Sequence, residues 1–161
     1  MAVIVMVMLL AGSVGSVIAQ DEAAYLSGAT TVTEIVEPPE VTTTPDGVTQ
    51  VRGVVGEQTL TMDDPRLSGA ERFVHNEDYY GDVVGPVWGT SLIENDGGAW
   101  VGSYRGLMLA DGSATYFGTY VGEDGYEGLS AACVSTSDGT SGFTGECVIY
   151  PGAVPEFQTA E

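Results

Sequence analysis

The sequence predicts an all-β fold, a small antiparallel β-barrel of about eight strands. Three observations predict it. Glycines and aromatics recur two residues apart between Trp88 and Tyr150, as in Trp100, Gly102, Tyr104 and Gly106, then Tyr116, Gly118, Tyr120 and Gly122. That spacing is the side-chain period of a strand. Glycine weakens an ordinary strand, so its repetition beside large rings points to a strongly curved sheet with rings packed over bare backbone. Turn signals are also closely spaced, with Asp63-Asp64-Pro65-Arg66, Asn95-Asp96-Gly97-Gly98 and Asp111-Gly112 among them. Finally, no stretch past the apolar leader carries a helical period of useful length.

The leader comes first. Residues 1–19 contain no charged side chain, are mostly Val, Ile, Met and Leu, and end in Val17-Ile18-Ala19 before Gln20-Asp21-Glu22. They read as a secretory signal peptide removed after Ala19, although no Lys or Arg precedes the apolar run. The alternative is an N-terminal membrane anchor, for which the run is just long enough. Gly12, Ser13, Gly15 and Ser16 interrupt it and favour cleavage, so the expected location is extracellular. Residues 20–46 are rich in Thr, Pro, Glu and Val, with breaks at Pro38-Pro39 and Pro45. This stretch reads as an arm or linker in which 31–36 could add an edge strand.

The barrel domain is expected over residues 47–151, with a tail over 152–161. Residues 48–55 and 57–62 read as two short strands around Gly56, followed by the turn at 63–66. A strand over 68–76 leads into an acidic loop, Glu77-Asp78-Tyr79-Tyr80-Gly81-Asp82. Strands at 87–94, 100–109, 114–121, 126–135 and 143–150 complete the sheet. A two-residue Asp111-Gly112 loop would put Trp100, Tyr104 and Met108 on one face with Phe117, Thr119 and Val121. Val101, Arg105, Leu107, Tyr116 and Tyr120 would then share the other. The first set reads as core, but the second is not polar enough to be a solvent face.

Charge excludes some partners. Four arginines and no lysine stand against 23 acidic residues, for a net charge of -19. Such a surface repels nucleic-acid phosphates and anionic lipid heads alike. Solubility explains an acidic surface, and life in high salt explains an extreme one. The two cysteines, Cys133 and Cys147, form an even count in a chain read as exported. A hairpin turning through residues 137–141 sets them opposite one another, so a structural disulfide is expected. The close spacing of a redox-active CxxC pair is absent.

The run Gly122-Glu123-Asp124-Gly125-Tyr126-Glu127-Gly128-Leu129 resembles the glycine–aromatic turn-and-strand element of the allene oxide cyclase and dirigent barrel superfamily. Asp63-Asp64-Pro65-Arg66-Leu67-Ser68-Gly69, Trp88-Gly89-Thr90 and Gly98-Ala99-Trp100-Val101-Gly102 resemble secreted bacterial proteins of unknown function placed near it. The resemblance covers roughly residues 47–150. It implies a small antiparallel barrel, often oligomeric, with an apolar lumen open at one end. It carries over no catalytic set.

Candidate chemistry is sparse. Glu127 and Arg105 each interrupt an apolar or aromatic strand, and a lumen could pair them, with the carboxyl as a general acid or base. Trp88, Trp100, Tyr104, Arg105, Tyr120 and Glu127 form the candidate ligand pocket. His75, the lone histidine, reads as a surface residue, and no Gly-x-Ser-x-Gly elbow accompanies it. The acidic turns at 94–96, 123–124 and 77–82 lack EF-hand spacing and read as solvated rather than metal-binding. No cofactor is expected. The leading expectation is a non-catalytic binding or accessory module for a small hydrophobic ligand. One alternative is a cofactor-free isomerase or cyclase, which requires a buried carboxyl near Glu127. Another is an envelope or matrix structural protein assembling through a strand edge.

Overall fold

The computed structural model describes residues 23–81, 85–139 and 142–155. The expected leader over 1–19, Asp82 of the acidic loop, and residues 156–161 of the expected tail lie outside them. The described residues form strands β1 (Ala24–Glu37), β2 (Glu40–Thr43), β3 (Thr49–Met62), β4 (Gly69–Tyr79) and β5 (Gly85–Asn95). They continue with β6 (Gly98–Met108), β7 (Ala114–Glu123), β8 (Leu129–Ser137) and β9 (Gly142–Pro151). All pairings are antiparallel. From β3 to β9 each strand pairs with the next in sequence, and β1 joins β9 on one side and β3 on the other. The result is the closed eight-stranded barrel that the sequence predicts, with β2 lying along the outer end of β3.

Closure corrects the expected arm. The stretch 24–37 is not a linker but the strand that seals the barrel, paired from Ala24↔Ile149 to Thr31↔Gly142 and from Gly28↔Met62 to Glu37↔Val55. Its Thr, Val and Ile residues are β-branched and suit a pleated surface once both neighbours exist. Pro38-Pro39 removes two N–H donors and ends the ladder, which resumes as β2 at Glu40↔Arg52. The barrel domain therefore begins near Ala24 rather than at 47. The two short strands expected around Gly56 are likewise one strand. Its break falls at a bulge between Val51 and Val54, where Gly53 has φ +69°, a left-handed conformation that glycine adopts freely.

The β6–β7 hairpin corrects the expected faces. The connection is a five-residue turn in which Leu109 N–H donates to Ser113 O and Gly112 N–H to Leu109 O. Register therefore runs Trp100↔Gly122, Gly102↔Tyr120, Tyr104↔Gly118 and Gly106↔Tyr116. Tyr116 and Tyr120 join Trp100, Tyr104 and Met108 inside. Phe117 and Val121, assigned to the core on the shorter turn, are 60% and 50% exposed on the outer wall beside Val101 and Leu107. The expected packing of rings over glycine holds in the new register. A Cβ at Gly102 would strike the Tyr120 ring, one at Gly89 the Tyr104 hydroxyl, and one at Gly56 the Phe73 ring.

One end of the barrel is plugged. Trp100, Tyr126, Leu26, Leu67, Ile93, Leu129 and Ile149 form its apolar floor. The 3-10 turn Pro65–Leu67 delivers Leu67, and the turn Asp124–Tyr126 delivers Tyr126, whose ring stacks on Trp100 at 5.1 Å. Cys133 and Cys147 face each other across β8 and β9 and are bonded, as expected.

Acidic side chains stud the outer wall and loops, among them Glu34, Glu57, Glu94, Glu123 and Glu146. With a net charge of -19, their mutual repulsion opposes the folded state. Molar salt, which shortens the screening length to about 3 Å, is expected to raise the thermal midpoint, by roughly 3–6 °C for each kcal/mol of repulsion relieved. Thermal unfolding in low and molar potassium chloride measures this. An unchanged or falling midpoint would count against adaptation to high salt.

Candidate functional site

Above the floor lies a cavity of about 360 Å³, bounded by side chains from β1, β3, β4, β5, β6, β7, β8 and β9. That size is at the lower end of small-molecule sites. Most of its wall is apolar, from Val32, Leu60, Phe73, Met108 and Phe143 among others. Glycine creates the space. Tyr104 lies between Gly89 and Gly118 on the flanking strands, so no side chain from its paired positions crowds its ring, which meets the rings of His75 at 5.9 Å and Tyr116 at 5.8 Å.

The polar groups come mainly from β4. Alternation along this strand turns Glu71, Phe73, His75, Glu77 and Tyr79 into the lumen while Arg72 and Val74 point outward. Arg72 instead meets Glu57 on the outer wall at 3.0 Å. Glu71 is 6% exposed and sits one layer above the floor. Its Oε2 accepts from Gln58 Nε2 at 2.7 Å and its Oε1 from Ser91 Oγ at 2.5 Å. Burial pushes the Glu71 carboxyl above its usual range, and these two hydrogen bonds offset only part of the rise. Burial likewise pushes up the Tyr120 phenol, with the Glu71 charge adding to it.

Nearer the open end, His75, Glu77, Tyr79 and Tyr104 form a hydrogen-bonded chain. Tyr79 donates to Glu77 Oε1 at 2.6 Å, His75 Nε2 meets Glu77 Oε2 at 3.3 Å, and His75 Nδ1 meets the Tyr104 hydroxyl at 3.0 Å. A neutral His75 that gives its Nε2–H to Glu77 accepts at Nδ1 from Tyr104. A protonated one donates at both nitrogens, and Tyr104 then turns its hydroxyl to the Val74 carbonyl at 3.3 Å. Burial alone would raise the Glu77 carboxyl. Hydrogen bonds from His75 and Tyr79, together with the His75 charge, outweigh it and hold the group below the usual carboxylate range. Tyr104 and Tyr79 are pushed far above the normal phenol range, chiefly by burial. Tyr116 is pushed up to about 12 by burial and by the Glu77 charge.

The sequence candidates divide. Tyr104 and Tyr120 line the cavity. Trp100 does not, because it is sealed into the floor at 0% exposure, with its Nε1–H donating to Arg66 O at 2.8 Å. Trp88 is on the outer wall at 36% exposure, with the Arg52 guanidinium 4.7 Å from its ring centre. Arg105 also faces outward, opposite Trp88 and Phe117, since it alternates with the inward Tyr104. Glu127 is exposed in the loop after the Asp124–Tyr126 turn, at the floor end. The expected lumen pair of Glu127 and Arg105 is therefore corrected. One side chain lies on the outer wall and the other in a loop, and neither reaches the cavity.

His75, read as a surface residue, belongs to the lumen wall, and so does Glu77, read as part of a solvated loop. Asp78 on the opposite face of β4 pairs with Arg52 at 2.6 Å. The signal for the missed residues was the period-two run through 71, 73, 75, 77 and 79, which the acidic composition of 77–82 obscured. Gln58 and Ser91 had no such signal, because register alone brings them to Glu71. In comparisons with known proteins, the chain matches no family model and no curated protein.

Proposed function

We propose that this protein is a non-catalytic binding module that holds a small hydrophobic molecule in the barrel lumen, and that it acts outside the cell. The observation that supports the reading is the cavity of about 360 Å³, apolar over most of its wall and closed at one end by a packed floor. A side-chain-filled core would leave no such space, and each apolar ligand carbon buried there contributes about 0.8 kcal/mol. The disulfide and the leader-like sequence at residues 1–19 support export.

A thermal-shift screen with lipids, terpenoids and polyketide-like compounds tests the reading. Ligands at a hundredfold excess over their Kd are expected to add about 2.7 kcal/mol of stability, a rise of several degrees in midpoint. An empty screen sinks it.

One observation favours a second reading, a cofactor-free isomerase or cyclase. Glu71, rather than the exposed Glu127, has the environment that such chemistry needs, a buried carboxyl with raised proton affinity in the lumen wall. A carboxyl so placed can lend a proton to a bound substrate and take one back.

A further inference from the structure

We infer that the lumen selects apolar ligands whose polar end is a hydrogen-bond donor, a hydroxyl or a protonated amine, and rejects those ending in a carboxylate. The inference rests on the binding-module reading and gives the ligand its chemistry.

The first support is the charge of the wall. Among the described residues lining the cavity there is no Arg and no Lys, whereas Glu71 and Glu77 both face it. The nearest arginine in sequence, Arg72, is turned outward to Glu57 and Glu37. A carboxylate drawn into this space would be a desolvated anion beside two acidic groups, and the basic side chain lining it, His75, is already engaged by Glu77 at 3.3 Å. The whole-molecule charge of -19 acts in the same direction before contact, repelling anions and gathering cations.

The second support is an imbalance of donors and acceptors. Ser91 gives its hydroxyl proton to Glu71, Tyr79 gives its own to Glu77, and Gln58 turns its amide nitrogen to Glu71. Gln58 Oε1 is thereby left buried with no partner, and so is Thr30 Oγ1 on the neighbouring strand. Both residues line the cavity. The Thr30 hydroxyl can donate or accept, but an amide oxygen can only accept and an unmet buried acceptor is costly, so a group that completes Gln58 must donate. A hydroxyl does so, and an ammonium does so while also countering Glu71.

Size narrows the class further. At about 30 Å³ for each water-sized group, the cavity holds roughly a dozen non-hydrogen atoms. A ten-carbon chain with one head group fits that limit.

The test is displacement of the neutral fluorophore 1-naphthylamine, whose size is within that limit, at pH 7.5 in moderate salt, using 1-decanol, decylamine and decanoate. Decanol and decylamine are expected to displace it with at least tenfold lower midpoints than decanoate, at one molecule per chain. Glu71→Gln is expected to narrow the gap between amine and carboxylate at least threefold, with each midpoint taken relative to that variant's own affinity for the fluorophore. The three ligands on the unaltered protein decide the matter even if that variant fails to fold. Decanoate competing as well as decanol would overturn the selectivity and leave the binding-module reading standing. Failure of the fluorophore and all three ligands to bind would overturn both.

Discussion

Replacing Trp100 with alanine is expected to lower the unfolding free energy by about 3–5 kcal/mol, a large fraction of the total for a domain of this size. Trp100 is fully buried, so the whole indole surface is returned to water or to a void. Its ring stacks on Tyr126 at 5.1 Å and 19°, and its Nε1–H holds the Arg66 carbonyl, so the plug at residues 65–67 is tied to β6 through this side chain. Asn95 Nδ2 also donates to Arg66 O, at 3.0 Å, so the carbonyl keeps one partner and the loss is mainly of packing. Denaturant unfolding followed by far-ultraviolet circular dichroism measures the change. Trp100→Phe keeps an aromatic face on Tyr126 and is expected to lie between the two. A cost below about 1 kcal/mol for the alanine variant would mean that the floor does not hold the barrel shut.

Loss of the Cys133–Cys147 bridge is expected to cost about 3 kcal/mol, the loop-entropy value for a closed loop of about fifteen residues. The two cysteines are separated by 14 positions and stand opposite in the β8–β9 register, so the bond cross-links neighbouring strands at one level of the lumen wall. Because residues 133 and 147 also line the cavity, the reduced protein is expected to lose ligand affinity along with stability. Unfolding midpoints with and without reductant, and in a Cys133→Ser/Cys147→Ser variant, measure the first effect. Fluorophore binding under the same conditions measures the second. Equal midpoints in oxidised and reduced protein would remove the bridge from the account of stability.

Much of this architecture was legible. Alternation of rings and glycines from 100 to 122 marks two strands, and the two cysteines fall opposite each other on the hairpin read from residues 129–150. The stretch 24–37 misled because its Thr and Glu content, followed by Pro38-Pro39, matches a linker, and only the presence of β9 and β3 on either side makes it a strand. Glu77 and Tyr79 misled for a related reason. Acidic residues in a row suggest a solvated loop, yet on a strand they alternate, and Asp78 faces Arg52 while Glu77 faces His75.

By itself the sequence determined the class of fold, the strands of the second half, the disulfide and the strongly acidic surface, because each depends on composition or on spacing along a few residues. Only the tertiary structure decided which wall faces inward and therefore which side chains meet a ligand. A period of two is symmetric: it says which residues share a face but not which face becomes the lumen. Closure of β1 onto β3, and a turn of five residues rather than two, broke that symmetry. Those events put Tyr116 and Tyr120 inside, Phe117 and Arg105 outside, and Glu71 in the wall of the cavity.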